Sequence, residues 1–382
     1  MRGECEFEHM TFTPDRSAVV FTSNCTTDAR SNALDIDRRH LWRAAVDGSK
    51  LELLTPGDGI EWQPVVTGDG KWIAYMASDA RQPAMPFVRR ADAEGPGVML
   101  AAQMLPKDFP SGQLLVPQQV IVTSADGVKC YNQLFLPASC TGSAKCPAVI
   151  FMHGGPVRQM FLGWHNRGYY HRAYAFNQYL ASRGFIVLSV NYRLGIGYGF
   201  DFHRPAGGGA QGASEYQDIL AAGRYLQSLS NVDAKRIGVY GGSYGGYLTA
   251  LALARNSDVF AAGVDIHGVH DFTADRGRAL LAPAYEKPPD VQKALDLAWA
   301  SSPVSAISTW KSPVLLIHAD DDRNVRFSQT VDLVQRLSAA GVPFEEIVIP
   351  DDTHHFLRHA NWLKVNAATA AFFEKHLGGS KN

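Results

Sequence analysis

The sequence has no excess of charge of one sign and no long apolar run. Its 382 residues include 36 lysines and arginines against 37 aspartates and glutamates, a formal net charge of −1. This balance gives no electrostatic reason to expect a nucleic-acid or membrane partner. Nothing approaches the roughly 18 to 20 consecutive apolar residues of a membrane-spanning helix, and residues 1–10 lack the apolar core of a secretion signal. We therefore expect a soluble protein, of the cytoplasm or the periplasm, that acts on neutral or small substrates.

Cysteine is scarce as well. The chain has five cysteines, an odd number, so they cannot all pair with one another. Cys140 and Cys146 flank a short polar turn and could form a disulfide in an oxidising compartment. The sequence leaves that pairing open, and it predicts that Cys5, Cys25 and Cys130 are isolated thiols.

The N-terminal third contains two similar segments. Residues 12–24 and 65–79 each combine a Pro-Asp or Gly-Asp turn with a short β-rich run. Residues 38–57, between them, predict two further strands joined by a hairpin turn. Repeats of four short strands are typical of β-propeller blades, and a small β-sandwich is the alternative. We predict a partial β-propeller of two to three blades over residues 1–112.

Residues 113–382 have a different pattern. A strand pair at 118–124 and 131–137 is followed by apolar strands that alternate with helical periods. The strands are predicted at 147–152, 185–192, 236–241, 260–267, 313–319 and 344–350. The helices are predicted around 173–182, 214–228, 244–254, 328–340 and 360–376. This alternation predicts an α/β domain with a mostly parallel sheet, whose chemistry should lie at the carboxyl ends of the strands.

The strongest local motif is a serine between glycines. Gly241-Gly242-Ser243-Tyr244-Gly245 fits G-x-S-x-G, follows a strand and opens an Ala/Leu-rich helix, which is the context of a nucleophile elbow. The turn leaves no room for a Cβ beside the serine, and a helix N-terminus favours developing negative charge. A small-residue turn that serves packing alone is the alternative. The motif predicts a serine nucleophile in an α/β-hydrolase fold.

A serine nucleophile needs a histidine base and a carboxylate that orients it, in the chain order serine, acid, histidine. Three aspartates, Asp320 to Asp322, end one predicted strand, and residues 351–359 (DDTHHFLRH) follow the last one. The three acids could also form a solvated turn or half a cation site. Both segments lie where the fold would place the acid and the base.

The histidines of this segment also raise the possibility of a zinc site made by His354, His355 and His359. Zinc sites on helices usually have H-E-x-x-H, with a glutamate between the ligands. Here Phe356, Leu357 and Arg358 fill the gap, and an arginine repels a cation. We therefore predict no metal ligands.

A hydrolase of this kind also needs an oxyanion hole. The loop His153-Gly154-Gly155-Pro156 follows an early strand of the domain, as the HGG-type loop of such enzymes does. Its unobstructed backbone N–H groups could join that of Tyr244 on a tetrahedral oxyanion. An ordinary Gly-Gly-Pro loop is the alternative.

Together these motifs resemble the catalytic domain of the prolyl oligopeptidase family of serine peptidases, of the acylaminoacyl-peptidase and dipeptidyl-peptidase kind. The resemblance covers about residues 116–377 and rests on five motifs, GGSYGGYLTAL, FMHGGP, SVNYRLGIGYG, HADDDRNV and PDDTHHF. It implies cleavage of short peptides, often after proline or with release of blocked or dipeptide N-termini, without a cofactor. The propeller of such enzymes filters access.

The resemblance also implies roles for individual residues. Ser243 is the nucleophile, Asp322 the acid and His354 the base. Tyr244 supplies an oxyanion N–H, and because His153 stands where some relatives have a tyrosine, the second donor is the backbone of Gly154 or Gly155. The positions matching the substrate pocket are Val269, Phe272, Asn324 and Val325, although aliphatic residues at such places are often plain core.

Two features limit this interpretation. About 110 residues hold two or three blades, whereas closed propellers usually need four to eight, and no paired-glutamate motif that grips a free N-terminus is present. We expect a C-terminal part of a longer protein or a natural truncation, whose exposed strand edges favour a homo-oligomer. A carboxylesterase with the same triad and a non-catalytic interaction protein are the alternative functions.

Overall fold

The computed structural model describes residues 5–25, 35–93, 95, 97–142, 145–274 and 290–378. They form two compact units. The first comprises the chain up to residue 119 together with 159–178 and 196–200, and the second comprises 120–158, 179–195 and the chain from residue 201.

The first unit contains two four-stranded antiparallel sheets. One has strands β1 (Phe7–Phe12), β2 (Ala18–Ser23), β3 (His40–Ala45) and β4 (Leu51–Leu53), and the other has β5 (Ile60–Val66), β6 (Trp72–Ser78), β7 (Met85–Arg90) and β8 (Val98–Met99). In each sheet the strands are neighbours in chain order. Consecutive antiparallel strands in groups of four are the arrangement of propeller blades. The predicted partial β-propeller is confirmed.

The two sheets repeat the same turn between their first and second strands. Thr13 Oγ1 donates to Asp15 Oδ1 at 2.6 Å and accepts from Ala18 N at 3.0 Å. Thr67 Oγ1 donates to Asp69 Oδ1 at 2.6 Å and accepts from the corresponding backbone N–H, that of residue 72, at 3.1 Å. The similarity of residues 12–24 and 65–79 therefore reflects a shared hydrogen-bonded turn.

The cysteine pairing differs from the prediction. Cys5 and Cys25 form a disulfide with their Cα atoms 5.0 Å apart, so the expectation that both are isolated thiols is wrong. The reason is the register of β1 and β2. Phe7 lies opposite Ser23, so Cys5, two residues before Phe7, faces Cys25, two residues after Ser23. Cys140 and Cys146, which the sequence left open, are also disulfide-bonded.

A buried histidine in the first unit lies between two carboxylates. His40 Nδ1 is 3.0 Å from Glu61 Oε2, and His40 Nε2 is 3.0 Å from Asp35 Oδ2. Burial disfavours the charged imidazole, but the two carboxylates outweigh it and raise the pKa of His40 to about 9. His40 is therefore charged at neutral pH and stabilises two buried acids.

We expect the stability of this unit to depend on His40 in a defined pH window. Folding raises the pKa of His40, so its contribution to the free energy of unfolding is fully present below about pH 6.5. This contribution is lost as the pH rises through about 9. Calorimetry should give a much lower unfolding temperature for His40→Gln than for the wild type at pH 6, and little difference at pH 10. An equal difference at both pH values would contradict the assignment.

The second unit is built on an eight-stranded sheet. Its strands are β9 (Gln118–Thr123), β10 (Lys129–Phe135), β11 (Cys146–Met152), β12 (Ile186–Val190), β13 (Val232–Gly242), β14 (Ala262–Ile266), β15 (Val314–Ala319) and β16 (Phe344–Ile349). Their order is β16-β15-β14-β13-β11-β12-β10-β9. All neighbours from β12 to β16 are parallel, and β10 is antiparallel to β12. The predicted mostly parallel sheet of an α/β-hydrolase fold is confirmed.

The helices of the described chain follow the predicted order. They are α1 (Gly168–Ser182), α2 (Phe200–His203), α3 (Tyr216–Ser228), α4 (Tyr244–Arg255), α5 (Val291–Ala300), α6 (Ser328–Ala340) and α7 (His359–Leu377). The prediction for 328–340 is confirmed to the residue, and α2 and α5 were not predicted. None of the described helices has the length and apolarity needed to cross a bilayer.

Helix α4 is buried along most of its length, which fixes the start of the helix. Its residues from Gly245 to Ala254 are all buried, and most are alanine, leucine or glycine. Small side chains allow the helix to pack closely on the central strands β11 and β13. The residue before α4 is therefore held at the carboxyl edge of the sheet by the core itself.

Candidate active site

Ser243 occupies a strained turn between β13 and α4. Its backbone has φ +60° and ψ −117°, a conformation that non-glycine residues rarely adopt. Ser243 N donates to Ile266 O at 2.9 Å, which ties the turn to the end of β14. A Cβ at Gly241 or Gly245 would lie 2.3 or 2.1 Å from Met152 O, so both flanking positions require glycine. The serine is half-buried at the carboxyl edge of the sheet.

Asp322 lies in the loop after β15 and accepts hydrogen bonds through both carboxylate oxygens. Oδ1 accepts from Asn324 N at 2.8 Å and Val325 N at 2.9 Å. Oδ2 lies 2.6 Å from His354 Nδ1 and 3.1 Å from His318 Nε2. Burial opposes ionisation, but these hydrogen bonds outweigh it and hold the pKa of Asp322 well below its ordinary value. Asp322 is therefore a fixed negative charge at neutral pH.

His354 lies in the loop between β16 and α7 and is 6% exposed. Because an ionised carboxylate only accepts, the contact with Asp322 places a hydrogen on His354 Nδ1 and leaves Nε2 able to take a proton. Within the described residues Ser243 Oγ donates no hydrogen bond to His354. Catalytic contacts of this kind often tighten only when substrate binds.

Two further aspartates shape the loops that carry Asp322 and His354, and one of them links the two loops. Asp320 Oδ1 accepts from Asp351 N at 2.8 Å, which links the end of β15 to the end of β16. Asp352 Oδ1 accepts from Thr353 N at 2.8 Å, immediately before the histidine. The neighbouring acids therefore shape the loops that present Asp322 and His354.

His267 is a residue that the sequence reasoning missed. It follows β14 at φ +45°, and its ring centre is 4.2 Å from that of His354. Burial, with the nearby His354 and His318, holds the pKa of His267 well below its ordinary value, so the ring is neutral at pH 7. A histidine directly after a parallel strand is a signal that could have found it. His267 also lies between Ser243 and His354 in the chain of contacts. Ser243 N donates to the carbonyl of Ile266, the residue before His267, and the His267 ring contacts that of His354.

The three histidines considered for a zinc site do not form a group of ligands among the described residues. His355 and His359 are exposed, whereas His354 is buried. Among the described residues, the group whose potential ligand atoms lie within 4.8 Å of one another is His267, Asp322 and His354. The set of His354, His355 and His359 is not brought together there.

The predicted oxyanion donors lie at the start of a helix and in the loop that follows β11. Tyr244 is the first residue of α4. His153 Nδ1 is 2.9 Å from Gly154 O, a carbonyl that only accepts, so Nδ1 carries the hydrogen of the neutral ring. Burial lowers the pKa of His153 to about 4, which keeps the ring neutral at pH 7. Its Nε2 is then an acceptor, which supports the backbone of Gly154 or Gly155 as the second donor.

The four predicted pocket residues occupy two loops. Val269 and Phe272, after β14, are partly buried against the core, and the Phe272 ring is edge-on to Tyr247 at 4.9 Å. Asn324 and Val325 use their backbone N–H groups to bind Asp322. These two residues therefore orient the acid, and the contact of all four with substrate stays a prediction.

The sheet order, the strained turn at Ser243 and the buried contact between His354 and Asp322 are features of the α/β-hydrolase fold, which here follows two blade-like sheets. The sequence of residues 172–380, more than half of the chain, matches the prolyl oligopeptidase family. The chain belongs to this family.

Individual relatives agree with this assignment. The chain is 31% identical over 355 residues to dipeptidyl aminopeptidase BIII of Pseudoxanthomonas mexicana, an alignment that covers 87% of this chain and 48% of the relative. It is 26% identical over 277 residues to the uncharacterised peptidase YuxL of Bacillus subtilis, covering 69% of this chain and 39% of the relative. The chain thus spans about half, or less, of the length of these curated relatives.

Solved structures share the fold. An acylaminoacyl peptidase in complex with Z-Gly-Gly-Phe-chloromethyl ketone superposes with a TM-score of 0.76 at 22% identity, over 99% of this chain and 57% of that one. A puromycin-hydrolysing peptidase of Mycobacterium tuberculosis superposes with a TM-score of 0.79 at 20% identity, over 100% and 56%. At these identities the likeness concerns the fold.

Proposed function

We propose that this chain is a serine peptidase that hydrolyses short peptides through an acyl-enzyme intermediate. The observation that carries the proposal is the buried contact of 2.6 Å between His354 Nδ1 and Asp322 Oδ2, at the same carboxyl edge of the sheet as the Ser243 elbow. A charged carboxylate in this position fixes the tautomer of the histidine and stabilises the imidazolium that forms during reaction.

In the proposed mechanism, Ser243 Oγ bonds to the carbonyl carbon of the substrate while its proton passes to His354 Nε2. The tetrahedral oxyanion accepts hydrogen bonds from the N–H of Tyr244 and of Gly154 or Gly155. The C–N bond then breaks as His354 returns the proton to the leaving amine. Water attacks the acyl-enzyme by the same route, with His354 again the base, and no cofactor takes part.

Family membership and the relatives support peptides as the substrate class. One relative is named a dipeptidyl aminopeptidase, and one solved structure holds a peptide chloromethyl ketone. We propose residues 1–112 as the partial propeller and 113–382 as the catalytic domain. Val269, Phe272, Asn324 and Val325 are proposed to contact the residue before the scissile bond.

A carboxylesterase is the second candidate, because the same triad hydrolyses esters more easily than amides. A panel of chromogenic dipeptide amides, blocked amino-acid amides and short acyl esters distinguishes the two functions. We expect measurable kcat/KM on at least one class of peptide amide. Comparable rates on esters with none on any amide would favour the esterase, and no turnover with no fluorophosphonate labelling would favour a non-catalytic binding protein.

We also propose that the chain forms a homo-oligomer. The first unit carries exposed apolar side chains, with Met10 70%, Phe12 61% and Val65 61% exposed, and apolar surface of this kind tends to pair with another protein surface. Light scattering should show a dimer or a larger species. A clean monomer whose N-terminal residues resist protease would contradict this proposal.

A further inference from the structure

Three aromatic rings form a stack beside the proposed oxyanion hole. The rings of His153 and Tyr192 are 4.3 Å apart and 17° from parallel, and those of Tyr192 and Tyr244 are 6.1 Å apart and 13° from parallel. These residues follow or adjoin the ends of β11, β12 and β13, three neighbouring strands. The ring of Tyr192 therefore lies between the two segments that carry the proposed oxyanion donors, which are the loop after β11 and the start of α4.

Hydrogen bonds fix both ends of this stack. Tyr192 Oη donates to His153 O at 2.7 Å, on the residue that precedes Gly154. Tyr244 Oη donates to Glu215 Oε1 at 2.7 Å, and Glu215 Oε2 accepts from Gly209 N at 3.0 Å. The side chain of Tyr244 is thereby held in place at the residue that follows the proposed nucleophile.

Glu215 is a buried acid that the proposed reaction does not use directly. It is fully buried, and burial raises the pKa of Glu215 above its ordinary value. Burial also raises the pKa of Tyr244, so its phenol keeps the proton that it donates. Placing a carboxyl group in the core is unfavourable unless its oxygens are hydrogen-bonded, and both partners of Glu215 belong to the elbow or to the loop packed on it.

We propose that Tyr192 and Glu215 are positioning residues of the oxyanion hole, an inference that rests on the proposed function. Tyr192 sets the distance between the donor at Tyr244 and the donor at Gly154 or Gly155. Glu215 fixes the orientation of the Tyr244 side chain and, through it, the first turn of α4. Donors to an oxyanion are effective only when held within a fraction of an ångström, and a misplacement of about 1 Å can cost hundredfold in rate.

The test compares two truncating variants, Tyr192→Leu and Glu215→Leu, with the conservative variants Tyr192→Phe and Glu215→Gln. We expect the truncations to lower kcat by about tenfold to hundredfold, with KM changed by less than about threefold, because transition-state stabilisation alone is lost. Tyr192→Phe keeps the stacked ring, and Glu215→Gln keeps an acceptor for Tyr244, so both should regain most of the activity.

A matched control separates positioning from a general loss of packing. Tyr216→Phe removes another buried phenol, whose Oη donates to Asn256 Oδ1 at 2.7 Å, at the C-terminal end of α4 and so at the opposite end of that helix from Ser243. We expect it to lower the unfolding temperature as Tyr192→Phe does while leaving kcat unchanged. The affinity of a peptide boronic acid, which forms a tetrahedral adduct, should fall in parallel with kcat/KM in the truncating variants only.

The outcomes separate the inference from the function on which it rests. A wild type that neither turns over substrate nor reacts with the boronic acid overturns the proposed function. The positioning role alone is overturned if the wild type is active and the leucine variants keep its kcat. It is also overturned if kcat falls and KM changes with it, both in proportion to the fall in unfolding temperature. If the leucine variants do not fold, Tyr244→Phe is the deciding variant, because it removes the hydrogen bond to Glu215. Full kcat and full boronate affinity in Tyr244→Phe overturn the positioning role.

Discussion

Ser243→Ala is expected to lose hydrolytic activity by several orders of magnitude while folding normally. The proposed triad acts as a unit, and removing the nucleophile of such a unit costs up to about a millionfold in kcat. The side chain of Ser243 is half-buried, and its backbone, not its hydroxyl, binds Ile266. The measurement is kcat on the best substrate of the panel, with near-ultraviolet circular dichroism as the check of the fold.

The same variant identifies the labelled residue. A fluorophosphonate probe should modify the wild type at Ser243 and leave Ser243→Ala unmodified. Ser228→Ala is the matched control, since that exposed serine lies at the end of α3 and donates to Tyr225 O at 2.7 Å, and its labelling should equal that of the wild type. Labelling that survives in Ser243→Ala would remove the assignment of the nucleophile.

His354→Ala is expected to cost about as much activity as Ser243→Ala. Of the three histidines in residues 351–359, His354 alone is buried and in contact with Asp322, at 2.6 Å. His355 and His359 are exposed, and we expect His355→Ala and His359→Ala each to cost about tenfold or less. The measurement is kcat/KM for the three variants on one substrate.

The pH profile supplies a second readout of this assignment. General-base catalysis needs the unprotonated base, so kcat/KM of a serine hydrolase rises with pH in a step that belongs to its base. The residual activity of His354→Ala should lack that step, whereas His355→Ala should keep it. An inactive His355→Ala beside an active His354→Ala would show that the assigned base is wrong by one residue.

The fold class followed from local sequence patterns. Short β-rich runs next to turn residues predicted the strands of the first unit. Apolar runs alternating with helical periods predicted the sheet of the second. The glycines around Ser243 were also informative by themselves, because the steric demand of the elbow is local to five residues. Helix α5 and the short helix α2 were not predicted from the sequence.

Two contacts between distant segments were not predicted from the sequence. The Cys5–Cys25 disulfide depends on the register of β1 and β2, which places the two residues opposite each other. His267 is separated from His354 in sequence, and it joins the site only because β14, β15 and β16 are parallel neighbours whose carboxyl ends meet. A parallel sheet assembles its functional edge from loops far apart in sequence.

The sequence by itself determined the fold class, the family and the residue types of the site, since each is encoded in short motifs and in periodicity. Only the tertiary structure showed that Asp322 and His354, the acid and the base implied by the resemblance, are in contact and that His354 is buried. It also revealed the stack of His153, Tyr192 and Tyr244. The physical reason is that motifs fix the backbone over a few residues, whereas hydrogen bonds of 2.6 to 3.1 Å between loops depend on how the strands that carry them are aligned.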